Sequence, residues 1–224
     1  MIKVETLSKH YGSNKVLDSI NLELDSGKVY GFVGENGAGK TTLFNCLAGL
    51  ESYQGKVISD YKNLKNQLGF LVTEPFFFSQ MTGEEYIQLL LHAREVKIDR
   101  LSDYNLFDLP LKKYASTYST GMKKKLALTA ILLQKNEVYI FDEPFNGIDI
   151  HSNLLVTEII KKLSESGKTL LLSSHIFTTL SECCDTIFRL EKGKIVEEVQ
   201  KADFPSLEEK MKAFTLENRL ENFF

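Results

Sequence analysis

No stretch of the chain approaches the roughly 18–20 consecutive apolar residues of a membrane-spanning helix, and Met1-Ile2-Lys3-Val4-Glu5 lacks the apolar core of a signal peptide. Both absences predict a protein that works in the cytosol. Cysteine is scarce: Cys46, Cys183 and Cys184 form an odd set without metal-ligand spacing, which argues for reduced, packed thiols rather than a disulfide framework or a zinc site. A basic excess is missing too. The net charge is −3 with 43% hydrophobic residues, whereas coating nucleic acid requires a surface that neutralises phosphates, so no nucleic-acid partner is expected. The same composition excludes a disordered chain. The one basic triplet, Lys123-Lys124-Lys125, reads as a solvated helix face. Internal repeats and low-complexity segments are absent. The 224 residues suffice for one sizeable domain, or for one lobe with a smaller one inserted.

What is present is a regular alternation of strand and helix patterns. Ile2 to Leu7 and Val16 to Leu24 alternate apolar and polar residues around Tyr11-Gly12-Ser13-Asn14, which predicts an antiparallel pair over a core. Val29 to Val33 reads as a short buried strand, and Thr41 to Leu50 as a helix with Leu43, Leu47 and Leu50 on one face. Gly55 to Ser59 and Gly69 to Val72 follow as strands. The pattern then turns helical: Thr82-Gly83-Glu84-Glu85 is a capping box ahead of Ile87, Leu90 and Leu91, and helices with loops continue to about Leu133. Val138 to Phe141 is an unbroken apolar run suited to a strand covered on both faces. A helix near Leu154 to Leu163, a strand at Thr169 to Leu172, a helix near Phe177 to Cys184 and strands at Thr186 to Leu190 and Lys194 to Val199 complete the core. Ser206-Leu207-Glu208-Glu209 looks like a second capping box, with Leu207, Met211 and Phe214 forming a stripe that packs on the core; docking of the aromatic end Phe223-Phe224 on a partner is the other reading. The expected organisation is a single α/β domain. Its core lobe covers about 1–74 and 135–203, a helical lobe about 75–134, and a helical tail about 204–224.

Three motifs carry chemistry. Gly34-Glu35-Asn36-Gly37-Ala38-Gly39-Lys40-Thr41-Thr42 fits G-x-x-x-x-G-K-[ST] between a strand and a helix, so backbone N–H groups would converge on a phosphate. Lys40 would reach the β- and γ-phosphates and the Thr41 hydroxyl would ligate Mg²⁺. Asp142-Glu143 directly follows the buried strand, at the strand end where open α/β sheets bind ligands. Asp142 would hold Mg²⁺ through its water shell, and Glu143 would polarise a water for attack on the γ-phosphate. Tyr118-Ser119-Thr120-Gly121-Met122 precedes a helix with Leu126, Ala130 and Leu133 on a shared face, and Ser119 is placed to cap it, so a second anion site is physically available, although the motif alone is weak.

In their order along the chain these pieces resemble the ATP-binding cassette family over essentially the whole length. The resemblance implies a P-loop NTPase core with an antiparallel β layer and an inserted helical lobe, hydrolysing ATP with Mg²⁺ as a dimer. It implies that Tyr11 stacks on adenine, although a plain hairpin aromatic is the other reading. It assigns His175 to the γ-phosphate and Asp149, in Asn146-Gly147-Ile148-Asp149, to the dimer interface, with helix capping as the alternative for Asp149. Ser119, Thr120 and Gly121 would bind ATP held by the opposing subunit. Tyr-Ser-Thr-Gly-Met looks like the variant found in cassettes that serve a separate exporter-type permease, similar to short cassettes of peptide-antibiotic export and immunity. The implied partners are a transmembrane permease and a second cassette subunit, identical or not, with the chain peripheral on the inner face of the membrane.

One position departs from the family pattern. Where a Gln is usual before the helical lobe, this chain has Thr73-Glu74-Pro75, so Thr73 or Glu74 would replace it at the metal. Phe76-Phe77-Phe78 comes next, where the family receives a helix of the membrane subunit. Three adjacent side chains cannot share one direction, and docking and core packing are both open for them. The rival reading is a non-transport cassette acting on DNA or ribosomes, whose relatives usually carry a second cassette or a long coiled-coil insertion, neither of which fits in 224 residues. A GTPase would need Asn-Lys-x-Asp, but Asn14-Lys15-Val16-Leu17-Asp18 has its Asp one residue late.

Overall fold

The computed structural model describes residues 1–210; Met211 and Phe214 of the expected tail stripe, and the Phe223-Phe224 end, lie outside them. Alternation makes the first layer. Strands β1 (Ile2–Tyr11) and β2 (Asn14–Leu24) pair antiparallel from Ile2↔Leu24 to Tyr11↔Asn14 and bury Val4, Leu7, Leu17, Ile20 and Leu24 on one side. Strand β3 (Val29–Val33) is buried at all five positions and leads through a glycine-rich turn into helix α1 (Lys40–Leu47). Strand β4 (Gln54–Ser59) returns to pair with β1, closing a three-stranded sheet in the order β2-β1-β4.

Strand β5 (Leu68–Leu71), helices α2 (Gly83–His92) and α3 (Thr120–Leu133), strand β6 (Val138–Asp142), helix α4 (Ile150–Glu165), strand β7 (Thr169–Ser174), helix α5 (Phe177–Cys183) and strands β8 (Thr186–Glu191) and β9 (Lys194–Gln200) follow. Their six-stranded sheet runs β5-β6-β7-β3-β8-β9, parallel except for the β8–β9 hairpin. Its central strands β6, β7 and β3 are buried at every position because both faces are covered, whereas the edge strand β9 alternates with exposed charged residues. Val33, Tyr139, Phe141 and Leu172 point into a core shared with α3, α4 and α5, while Phe32, Ile140 and Leu171 point into one shared with α1 and the antiparallel layer.

Helix α3 belongs to two cores at once. Ala127, Leu128 and Ile131 pack on the sheet, and Leu126 and Ala130 pack with Ile87 and Leu91 of α2. The α2 capping box forms in both directions, with Thr82 Oγ1 accepting from Glu85 N–H and the Glu85 carboxylate accepting from Thr82 N–H. Among the described residues no helix is long and apolar enough to cross a membrane.

Several element boundaries differ from expectation. Helix α1 stops at Leu47, because Gly49 turns left-handed at φ 69°, so Leu50 is 67% exposed instead of continuing the stripe. Helix α4 starts four residues earlier than Leu154, at its Asp149 cap. The tail helix begins at residue 204, ahead of Ser206, with Pro205 in the first turn, where its missing N–H costs nothing. Ser206 is therefore inside the helix, while Leu207, the one described member of the expected stripe, joins the sheet core together with Phe204.

Candidate active site

The glycine-rich turn after β3 is wedged between neighbours. Gly39 sits at φ 112°, and a Cβ there would lie 2.8 Å from Leu17 Cδ2; one at Gly34 would lie 2.2 Å from the Leu190 carbonyl oxygen. Only glycine allows the backbone this close to β2 and the β8–β9 hairpin. Among the described residues no side chain caps α1, which leaves its first N–H groups for an anion. Lys40 is buried in the turn, its Nζ donating to the carbonyls of Gly34 (2.7 Å) and Glu35 (3.2 Å). Burial lowers its pKa against the opposing pull of the Glu143 and Asp142 charges.

Parallel register brings the other strand ends to the same place. Asp142 pairs with Ser173 across β6 and β7, and Val33 pairs with Ser174 across β3 and β7. The Asp142 carboxylate is fully buried. Its Oδ2 accepts from the Thr41 hydroxyl (2.7 Å) and the Thr73 hydroxyl (2.7 Å), and its Oδ1 accepts from the Ser173 hydroxyl. Glu143 then turns left-handed at φ 51°, its N–H donating to Ser173 Oγ at 2.9 Å. Its carboxylate lies 2.9 Å from His175 Nδ1. The Glu143 side chain is 13% exposed and that of His175 is 50% exposed, so the carboxylate is sheltered and the imidazole faces out.

The donor set fits Mg²⁺. Around Asp142 it consists of hard oxygens, with the Thr41 hydroxyl beside the carboxylate. Among the described residues no group of three or more His, Cys, Asp or Glu side chains converges as a metal cage. Mg²⁺ is usually held in this way, by one or two protein oxygens with waters and substrate phosphates completing the shell.

Tyr11, at the end of β1, reaches the same site from the other sheet. Burial first, and then the neighbouring Glu51, raise the pKa of its hydroxyl, and Thr42 stands beside it. The Lys9 ammonium lies 4.8 Å from its ring centre, and the ring is 46% exposed. The expected replacements for Gln separate cleanly: Thr73 is bonded to Asp142, whereas Glu74 is exposed. Of the three phenylalanines, Phe77 packs on Tyr86 at 4.5 Å, while Phe76 (75% exposed) and Phe78 (59%) stack edge-on against each other at the surface.

The Ser119-Thr120-Gly121 turn lies along the 143–149 loop. Ser119 caps α3 by accepting from Met122 N–H at 3.3 Å, and a Cβ on Gly121 would lie 2.6 Å from the Gly147 carbonyl oxygen. Asp149 caps α4. Hydrogen bonds from Ser152 Oγ (2.7 Å) and Ser152 N–H (2.9 Å), then from Lys125 Nζ (3.0 Å), hold its carboxyl well below the usual carboxylate range.

The basic triplet is not a solvated face. Lys124 is 3% exposed, with Nζ donating to the carbonyls of Glu143 (2.7 Å) and Asn146 (2.9 Å). Burial lowers its pKa despite the Glu143, Asp142 and Glu74 charges. Lys125 reaches Asp149 and Ser152. The loop after β6 turns its carbonyls toward α3, and ammonium groups on that helix satisfy them; helical periodicity alone carries no trace of this. Ser173 was also missed, although a pair of serines ending the apolar run 169–174 marks a strand end with polar work to do.

The ABC transporter family profile matches residues 17–146. The chain is 32% identical to the bacitracin transport ATP-binding protein BcrA of Enterococcus faecalis over 212 residues, spanning 89% of this chain and 69% of that protein. It is 28% identical to the lantibiotic transport ATP-binding protein SrtF of Streptococcus pyogenes, spanning 93% and 95% respectively. Among solved structures, an ATP-binding subunit of an ABC transporter superposes with a TM-score of 0.82 at 26% identity, over 91% of both chains. A dimeric cassette bound to ADP and Pi shares the fold, with a TM-score of 0.80 at 20% identity over 90% of this chain and 99% of that one. The chain belongs to the ABC transporter family, as one of its ATP-binding, ATP-hydrolysing subunits.

Proposed function

We propose that the protein drives a separately encoded transmembrane permease of exporter type from the inner face of the membrane, pairing with a second cassette subunit so that two ATP molecules lie between them. One observation carries the catalytic part: Thr41, Thr73, Ser173, Asp142, Glu143 and His175 form a continuous hydrogen-bonded chain at the strand ends beside the phosphate loop. In this reading Tyr11 stacks on adenine, while the backbone of Gly34 to Gly39 and the side chains of Lys40 and Thr42 hold the phosphates. Lys40 exchanges its carbonyl partners for phosphate oxygens. Thr41 and Asp142 would hold Mg²⁺, which would neutralise phosphate charge. Thr73 and Ser173 fix the Asp142 carboxylate.

Glu143 orients a water and takes its proton as the water oxygen bonds to the γ-phosphorus and the bond to the ADP oxygen breaks. His175 holds the Glu143 carboxylate through Nδ1 and presents its other nitrogen to the γ-phosphate. Ser119, Thr120 and Gly121 serve the nucleotide of the opposing subunit, and Asp149 lies at the interface between the two. The exposed Phe76 and Phe78 suit an apolar permease surface. Relatives named for bacitracin and lantibiotic transport support a peptide antibiotic as the exported substrate.

Glu143→Gln keeps shape and removes charge, so the variant binds ATP with near-normal affinity while turnover falls about 10²–10⁴-fold, the range for a positioned base. Phosphate release and fluorescent-nucleotide binding measure the two. Turnover near the wild-type rate would refute the assignment.

A further inference from the structure

A buried ammonium persists where donors and acceptors match, and Lys124 is buried for a visible reason. The chain leaves β6 through Glu143 in the left-handed region at φ 51°, a conformation that a non-glycine residue keeps only where its surroundings enforce it. The following turn is closed by Asn146 N–H donating to the Glu143 carbonyl at 3.2 Å. Lys124 Nζ caps that turn from the side, bonded to the Glu143 carbonyl at 2.7 Å and the Asn146 carbonyl at 2.9 Å. Two more contacts from the start of α3 flank it: Gly121 lies against the Gly147 carbonyl, and Lys125 is bonded to the Asp149 carboxylate at 3.0 Å. Helix α3 is itself rigidly seated, with Leu126 and Ala130 in one core and Ala127, Leu128 and Ile131 in another.

We propose that Lys124 is a positioning residue for hydrolysis: its ammonium fixes the backbone of Glu143 and Asn146, and through it the place where the Glu143 carboxylate stands. The inference rests on the reading of Glu143 as the group that activates water. Because α3 begins at the Ser119 turn, that turn and the Glu143 carboxylate belong to one rigid body joined by Lys124. The lysine touches neither Asp142 nor the phosphate loop through its hydrogen bonds, so its loss leaves nucleotide binding in place and misplaces the base.

The test compares Lys124→Met, which keeps stem length without donors, and Lys124→Gln, which keeps two N–H donors on a shorter stem. Turnover, KM for ATP, fluorescent-nucleotide affinity and Tm are measured for each in purified full-length protein. Misplacing a catalytic group by about 1 Å costs on the order of 10²-fold in rate, so kcat falls about 100-fold in Lys124→Met and about tenfold in Lys124→Gln. KM and affinity stay within about twofold of wild type, the pattern of an interaction expressed only in the transition state. In a Glu143→Gln background, adding Lys124→Met lowers the residual rate no further, since both changes act through one group.

Wild-type turnover in Lys124→Met overturns the inference, as does a parallel loss of affinity and turnover or a Gln variant no better than Met. If Lys124→Met fails to fold, Lys124→Gln decides alone: a tenfold kcat loss at constant KM supports the assignment, and full turnover overturns it. Glu143→Gln separates this from the underlying reading. An active Glu143→Gln sinks the base assignment and the inference with it, whereas an inactive Glu143→Gln beside an active Lys124→Met sinks the inference alone.

Discussion

The rim of the parallel sheet and the surface of the helical lobe treat their side chains in opposite ways. At the rim, polar groups are satisfied within the chain: Asp142 accepts three hydroxyl bonds, Lys40 is bonded to two carbonyls, and Glu143 is held by His175. On the lobe, Phe76, Phe78 and Tyr114 are exposed, and the Ser119 hydroxyl does no more than cap its own helix. Buried polar networks cost heavily when incomplete, so the rim is built to hold fixed positions before any ligand arrives. The lobe keeps apolar and hydroxyl groups outside at a small cost, which suits surfaces completed by other chains. Lys124 joins the two regions, since it stands on the lobe's helix and grips the rim's loop.

The comparison breaks most severely at Lys40. Lys40→Ala removes the one ammonium inside the phosphate turn, and losing a charge-stabilising donor costs about 10²–10³-fold in kcat. The fold, monitored by circular dichroism, stays intact. Full activity would mean that the turn is not a phosphate site.

A smaller effect belongs to Thr73. Thr73→Val keeps the shape and removes the hydroxyl on Asp142, so the Mg²⁺ concentration for half-maximal ATPase activity rises on the order of tenfold, as when groups supporting a metal site are lost. Glu74→Ala, at an exposed position, shifts it less than about twofold. The reverse ranking would place the metal support on Glu74.

The lobe surface shows the smallest effect on isolated protein. Phe76→Ser with Phe78→Ser changes stability by no more than about 0.5 kcal/mol, as for exposed substitutions generally, and leaves basal ATPase activity unchanged while permease co-purification is lost. Phe77→Ala, by contrast, costs about 1–3 kcal/mol in urea unfolding, because it packs on Tyr86. Equal destabilisation by all three would erase the division within the run.

The same contrast explains what was legible beforehand. The glycine-rich turn before α1, the β6 end and the α2 capping box are written in consecutive residues, and the structure has each of these local shapes. Other features depend on distant chain. Lys124 looks like one of three surface lysines until the loop after β6 is seen to aim carbonyls at it. Asp149 was open between capping and an interface role, and its capping bonds are present. Leu50 failed as a core residue because Gly49 ended the helix one turn early, and Ser206 failed as a cap because Pro205 already occupied the first turn. Periodicity names a face; it does not say where a turn begins.

The central claim is that one chain binds nucleotide at its rim and that hydrolysis needs the Ser119 turn of another. Ser119→Arg tests it through the two losses measured side by side, ATP affinity and turnover. The account predicts affinity within about twofold of wild type and a turnover loss of about 100-fold or more, the scale for removing a donor from a transition state. Turnover near wild type, or an equal loss of both quantities, would contradict it.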